Sequence, residues 1–346
     1  MLWNILRHIL FLFPPELAHQ VAGYAMRFLG AAHASFATVK KQRKRKNGKF
    51  SLAGFTLDSP LGIAAGFDKD AKLVTGLRAL GFGFVEVGTV TPKPQSGNPK
   101  PRIFRLPEQH ALINRLGFNS QGAEAVSARL RNLRQIFRFD FPIGVNIGKN
   151  RDTPLELAHK DYVEAIRFLY PVADYLVINL SSPNTPGLTQ LQEEEYLKPI
   201  LLAVRAGRDE LAKQGEKRPL LLKLSPDLSL RSCLRAVDLA MESGFSGIIA
   251  FNTTRRRDFP GFKADNPKLQ EEGGLSGAPL REYALSCLGA IRSKLGPKPV
   301  LISVGGLSSA EDAKARISAG ANLVQVYTEF VYAGPAFPRK IARAFD

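Results

Sequence analysis

A spacing limits what this chain can become more than any single motif does. Eight short apolar runs recur from residue 61 onward, and most are followed by a polar loop and an amphipathic helical pattern. The runs are LGIAA (61–65), FVEVG (84–88), IGVNI (143–147), YLVINL (175–180), LLLKL (220–224), GIIAF (247–251), VLISV (300–304) and LVQVY (323–327). Continuous apolar runs of this length bounded by polar loops read as strands buried on both faces. Between them, stretches such as KDAKLVTGLRALG, HKDYVEAIRFLY, YLKPILLAVRAGRDELAKQ, LRAVDLAMESG and AEDAKARISAG carry helical periodicity, and several end on the glycine that commonly stops a helix.

Eight βα units predict an α/β protein, specifically a (β/α)8 TIM barrel, over residues 50–346. A doubly wound sheet is the alternative, but it does not usually repeat so evenly. Before the first run, KFSLAGFTLDSP reads as a hairpin.

The first thirty residues, MLWNILRHILFLFPPELAHQVAGYAMRFLG, differ from the rest: they are apolar and aromatic and broken once by Pro14-Pro15. Polar residues fall in stripes, Asn4, Arg7 and His8 in one half and Glu16, His19, Gln20 and Arg27 in the other, which predicts two short amphipathic helices. A helix of about twelve residues is roughly 18 Å long against a hydrocarbon core of about 30 Å, so neither is expected to span. No convincing signal-peptide or transit-peptide pattern is present. Residues 1–39 therefore form a helical hairpin that lies in a membrane interface or packs on the main domain.

Residues 40–49, KKQRKRKNGK, carry much of a net charge of +17 and form a basic linker. Such a run is a solvated connector or is held near an anionic membrane surface. No motif with interleaved aromatics accompanies it, so no nucleic acid is expected as a partner. The two cysteines, Cys233 and Cys287, lack metal-ligand spacing and read as reduced core residues; no metal is expected.

In such a barrel the chemistry sits where the strands end. After the successive runs come AAGFDKD with Lys69, GTVTPKP, Asn146 within NIGKN, NLSSPNTP, Lys223 within the fifth run, Asn252-Thr253-Thr254, Gly305-Gly306, and Tyr327-Thr328. Lysines within or just after apolar strands need an anionic or accepting partner, or they lose their proton. GGLSG (273–277), the Gly pair after the seventh run and the start of the helix after the eighth form the phosphate cradle usual in this barrel. A phosphate site with asparagines and lysines and no acidic metal cluster suggests a phosphorylated organic cofactor or substrate, FMN being one candidate.

The loop NLSSPNTPG (179–187) is stiff, because Pro183 and Pro186 fix their own φ and bias Ser182 and Thr185 toward extended backbone. These are also ordinary turn residues; their position at a strand's carboxyl end favours function.

The stretches PLGIAAGFDKD, GFGFVEVGTVTPKPQSGNPKPRIFRL, LINRLGFNSQG, VNIGKN, INLSSPNTPGL, LKLSPDL, NTTR, GGLSGAPL, SVGGLSS and LVQVYT closely resemble the class 2 dihydroorotate dehydrogenases, over essentially the whole chain including the N-terminal helices. The resemblance implies FMN-dependent oxidation of dihydroorotate to orotate in pyrimidine synthesis, with a membrane quinone (ubiquinone or menaquinone) reoxidising the flavin. It implies a monomer held peripherally on the cytoplasmic face of the bacterial inner membrane. Ser182 matches the family's base, taking the C5 proton while hydride leaves C6 for flavin N5, with Thr185 and Phe118 matching the proton relay. Class 1 relatives carry cysteine at the base position and lack the N-terminal helices.

By the same matching, Lys69, Asn114, Arg115, Leu116, Gly117, Phe118, Asn179, Asn184, Asn252 and Thr253 bind substrate; amides suit a ring of alternating donors and acceptors. Ala65, Gly66, Phe67, Asp68, Lys69, Thr89, Asn146, Asn179, Lys223, Phe251, Gly277, Gly306, Tyr327 and Thr328 match FMN positions, with Lys223 stabilising negative charge on the reduced flavin. His19, Arg105 and Tyr327 match the lining of a quinone tunnel.

Two positions depart from the family pattern: Phe251 stands where threonine is usual, and Glu329 where a small residue follows. A carboxylate beside a phosphate repels it, so Glu329 is expected to point outward. The competing enzymatic readings are an FMN barrel with a soluble acceptor such as fumarate or NAD, and a Schiff-base aldolase using Lys223. A basic nucleic-acid-binding protein is the reading from a different class.

Overall fold

The computed structural model describes residues 2–37, 49–137, 139–185, 187–213, 215–260, 262 and 267–346. The basic run, apart from Lys49, and Pro186 of the strand-four loop lie outside the described residues.

All eight apolar runs become strands: β1 (Leu61–Ile63), β2 (Phe84–Val90), β3 (Ile143–Ile147), β4 (Tyr175–Asn179), β5 (Leu220–Leu224), β6 (Gly247–Ala250), β7 (Val300–Val304) and β8 (Leu323–Val326). Each pairs in parallel with the next, and β8 returns to β1 with Val324 opposite Leu61, closing the barrel. The doubly wound alternative is thereby excluded.

Side chains alternate along each strand, so the barrel interior fills in layers. The lower layers are apolar: Phe84, Tyr175, Leu221, Ile249, Ile302 and Leu323 pack together, with Leu52 and Leu57 of the hairpin Phe50–Leu52 and Phe55–Leu57 closing the amino end. Gly62 and Gly144 make room for this layer, because a Cβ on either would enter the ring of Phe84 or Tyr175. One step up each strand the alternation brings Glu86, Lys223 and Gln325 inward, and the fill turns polar beneath the mouth.

The N-terminal segment corrects one expectation. Instead of two short helices there is a short α1 (Leu2–Phe11) and a long α2 (Pro15–Ala37) of 23 residues, which reaches roughly 34 Å at about 1.5 Å per residue. Length therefore does not prevent α2 from spanning; hydropathy does, since no helix among the described residues is both long and apolar enough to cross a membrane.

The hairpin packs on the main domain. One face of α2 docks on α3 (Val74–Leu80) at a close approach through glycine, where a Cβ on Gly76 would strike the Met26 carbonyl and one on Gly30 would strike Thr75. Arg102 pairs with Glu16 at 3.0 Å, and the Trp3 indole donates to Tyr332 O at 2.8 Å. The other face leaves large apolar side chains uncovered, Phe28 79% exposed and Tyr24 69%, and Leu12 in the turn before α2 is 83% exposed.

Candidate active site

The polar strand ends meet in one cleft at the carboxyl end of the barrel, about 1110 Å³ including its open mouth. Loop residues Ala65, Gly66 and Lys69 after β1, Thr89 of β2, Asn179 of β4, Lys223 of β5, Phe251, Asn252 and Thr253 after β6, Gly306 after β7, and Tyr327 and Thr328 after β8 all line it. A three-stranded antiparallel sheet, Ile103–Leu106, Ala111–Asn114 and Gly274–Gly277, lies outside the barrel and adds Asn114 and Gly277 to the wall. Leu116, Gly117, Phe118, Ser182 and Asn184 complete it.

One end of the cleft is a backbone cradle. Gly277 has φ 102° and Gly306 φ 74°, left-handed conformations that suit glycine, and a Cβ at either would meet His110 O or the backbone of Arg281. Thr328 and Ser276 share a hydroxyl hydrogen bond of 2.8 Å at this end. Behind it the buried Arg316 guanidinium donates to Gly305 O and Ser303 Oγ, both at 2.6 Å, and so holds the glycine loop in shape. Burial lowers the Arg316 pKa only to about 10, so it stays cationic.

Amides and a hydroxyl crowd the other end. Asn184 Nδ2 donates to Asn114 Oδ1 at 3.2 Å, and Ser182 Oγ accepts Asn184 N–H at 3.3 Å. Thr185 is buried nearby, and its Oγ1 has no hydrogen-bond partner among the described residues. Phe118 sits at φ 54°, directly after Gly117 at φ 70°. That left-handed pair carries strain for the phenylalanine. Gln95 Nε2 holds it in place by donating to both the Gly117 and Phe118 carbonyls.

Lys69 is half-buried on the wall, and burial lowers its ammonium to about 8 against the raising effect of Asp70. Lys223 is nearly inaccessible and lies 3.4 Å from Glu86 Oε1, so it has the anionic partner its position in a strand demanded.

Several residues named from the sequence stand behind the wall. Asn146 is fully buried in β3 and reaches the site through hydrogen bonds to Thr89 and Asn179. The Asp68 carboxylate accepts Lys72 and Leu73 N–H at 2.8 Å each and shapes the turn into α3; burial raises it to about 6. Arg115 turns away to Glu271 at 2.6 Å and stacks over Phe104.

His19 meets Phe67 edge-on at 4.8 Å and Phe67 meets Tyr327 at 5.5 Å, so rings run from α2 to the cleft wall. Burial lowers the His19 pKa, which favours neutral imidazole there. Arg105 covers the Phe11 ring at 4.5 Å and donates to Leu10 O and Phe13 O, capping the turn between α1 and α2.

Glu329 contradicts its expectation. It does not point outward but lines the cleft, with Oε2 3.6 Å from His110 Nδ1 and its side chain 14% exposed. It follows Thr328 in the short helix Thr328–Ala333, whose path keeps it inside. Burial raises its pKa, favouring the neutral acid, with His110 acting in the opposite sense.

Sequence reasoning passed over Glu86 and Gln325. The signal was available, because a lone polar residue inside FVEVG or LVQVY is as anomalous as the lysine inside LLLKL.

A closed parallel barrel whose strand ends gather a glycine cradle, lysines, amides and a serine around one cleft defines a TIM-barrel enzyme. The model of the dihydroorotate dehydrogenase family matches residues 49–346. The protein named dihydroorotate dehydrogenase (quinone) from Anaeromyxobacter sp. (strain Fw109-5) is 46% identical over 344 residues, covering 99% of this chain and 91% of the relative. Its namesake from Thermobifida fusca (strain YX) is 47% identical over 330 residues, covering 95% and 87%. Among solved structures, DHODH from Eimeria tenella in complex with ferulenol superposes with a TM-score of 0.84 at 37% identity, covering 96% of this chain and 91% of that one.

The chain belongs to the dihydroorotate dehydrogenase family, in its quinone-dependent class, and is a flavin-dependent oxidoreductase.

Proposed function

We propose that the cleft holds FMN and that the chain oxidises dihydroorotate to orotate, with Ser182 as the base and a membrane quinone, ubiquinone or menaquinone, as the final acceptor. The observation that carries this reading is the convergence of Ser182, Lys69 and the amides of Asn114, Asn179, Asn184 and Asn252 on one cleft whose far end is the Gly277 and Gly306 cradle.

The residues fit FMN. The cradle leaves no room for a Cβ, so backbone can approach a phosphate closely, and Thr328 and Ser276 add hydroxyls. FMN supplies the hydride acceptor when bound. Ala65, Gly66, Thr89, Lys223 and Tyr327 would flank its ring, with Lys223 countering negative charge that develops there.

Substrate binding is assigned to Lys69, for the carboxylate, and to the four asparagines, for ring amides and carbonyls. Ser182 would take the C5 proton. A serine hydroxyl is a poor base unless it passes its own proton on, and Thr185, buried with an unpartnered Oγ1, is the group suited to receive it. Phe118 and Leu116 would exclude water from this end.

The aromatic path His19, Phe67, Tyr327 and the uncovered apolar face of α1 and α2 support a quinone route from a bilayer surface and peripheral attachment to the cytoplasmic face of the inner membrane. The functional unit is taken as a monomer. The test is anaerobic addition of dihydroorotate to purified protein, which should bleach bound flavin, followed by long-chain quinone, which should restore the colour. Flavin that stays oxidised with dihydroorotate overturns the reading.

A further inference from the structure

Under the cleft, three asparagines, Asn146 in β3, Asn179 at the end of β4 and Asn252 in the loop after β6, hydrogen-bond in series. Asn252 Nδ2 donates to Asn179 Oδ1 at 3.4 Å, Asn179 Nδ2 to Asn146 Oδ1 at 2.9 Å, and Asn146 Nδ2 to Glu86 Oε1 at 2.8 Å. Every amide in the series donates toward Glu86. The series ends there because an ionised carboxylate can only accept. Gln325 Nε2 donates to the other oxygen, Oε2, at 2.6 Å, and the Lys223 ammonium lies 3.4 Å from Oε1.

Glu86 itself is fully buried and is not part of the cleft surface. An amide can turn over and exchange donor for acceptor at almost no steric cost; a carboxylate at the end of the series removes that freedom. With both Glu86 oxygens accepting, Asn146 must turn its carbonyl to Thr89 and Asn179, and Gln325 must keep its own carbonyl elsewhere. That Gln325 Oε1 is buried in a cleft-lining residue with no partner among the described residues, an acceptor left over by the arrangement.

We propose that Glu86 is the positioning residue of this site: by accepting from Asn146, Gln325 and Lys223 together it sets which way the cleft's amides face and where its buried cation stands, and so sets flavin affinity and potential. This rests on FMN being the bound group.

The test uses Glu86→Gln, which keeps volume but offers a donor where three donors already point. The apoprotein should bind FMN at least tenfold more weakly by fluorescence titration. In reloaded enzyme the flavin potential should move positive, because Lys223 has lost its counter-charge, and orotate should bind more weakly through Asn179 and Asn252. A folded variant with wild-type FMN affinity and potential overturns the proposal, since a packing role tolerates an isostere. Should Glu86→Gln not fold, Glu86→Gln with Lys223→Met leaves no unpaired charge. It should bind FMN more weakly than Lys223→Met alone, and equal affinities overturn the proposal. Wild-type protein that fails to bind FMN would overturn the flavin assignment instead, and the two failures are separable.

Discussion

Ser182 Oγ accepts the backbone N–H of Asn184 at 3.3 Å. That contact occupies one lone pair and leaves the hydroxyl hydrogen free to be handed on. If Ser182 removes the C5 proton, Ser182→Ala should retain FMN and orotate but slow flavin reduction by roughly 10² to 10⁴, about 3 to 5 kcal/mol in the barrier. Stopped-flow absorbance under anaerobic conditions measures this. Near-normal reduction in the variant would remove Ser182 from its role.

Lys69 predicts a pH dependence. Burial lowers its ammonium to about 8, and only the protonated form attracts a carboxylate. Substrate affinity should therefore be full well below pH 8 and fall as pH rises through it, approaching about tenfold per unit above. Lys69→Met should bind dihydroorotate weakly at every pH, with that inflection gone. An inflection that survives the substitution assigns it to another group.

Glu329 faces the cradle end of the cleft, and burial raises its pKa. Where it is ionised it repels a phosphate; where it is protonated it does not. Glu329→Gln should thus bind FMN roughly 3- to 10-fold more tightly at pH 8, with the gap closing toward pH 5. The ratio of the two proteins' affinities cancels the titration of the phosphate itself. A ratio near one at every pH would show that the carboxylate carries no charge beside the ligand.

Removal of residues 1–39 separates the two half-reactions. The barrel closes without α1 and α2, so the truncated chain should keep FMN and still be reduced by dihydroorotate. Its exposed α3 surface around Gly76 should lower solubility or Tm. Reoxidation by long-chain quinone in liposomes should fall sharply, as should affinity for anionic vesicles. Turnover of long-chain quinone equal to that of the full chain would leave the hairpin as packing alone.

The barrel was legible in the sequence because it rests on local signals. Apolar runs such as IGVNI and LLLKL, helices stopped by glycine and the hairpin around Ala53-Gly54 each follow from short-range physics, and repeating them eight times leaves few ways to bury the strands. The polar strand ends were legible for the same reason, and so were the residues of the NLSSPNTPG loop. The length of α2 was not, since a helix in the range of Pro15–Ala37 is extended by docking on α3 through Gly30 and Gly76, a contact between residues 46 apart in the chain. Nor was the inward course of Glu329, which depends on His110 arriving from the outer sheet. The direction of the amide series ending at Glu86 belongs to tertiary structure alone. An asparagine's two ends are chemically opposite but sterically alike, and only neighbours from β2, β3, β4 and β8 together decide which end faces where.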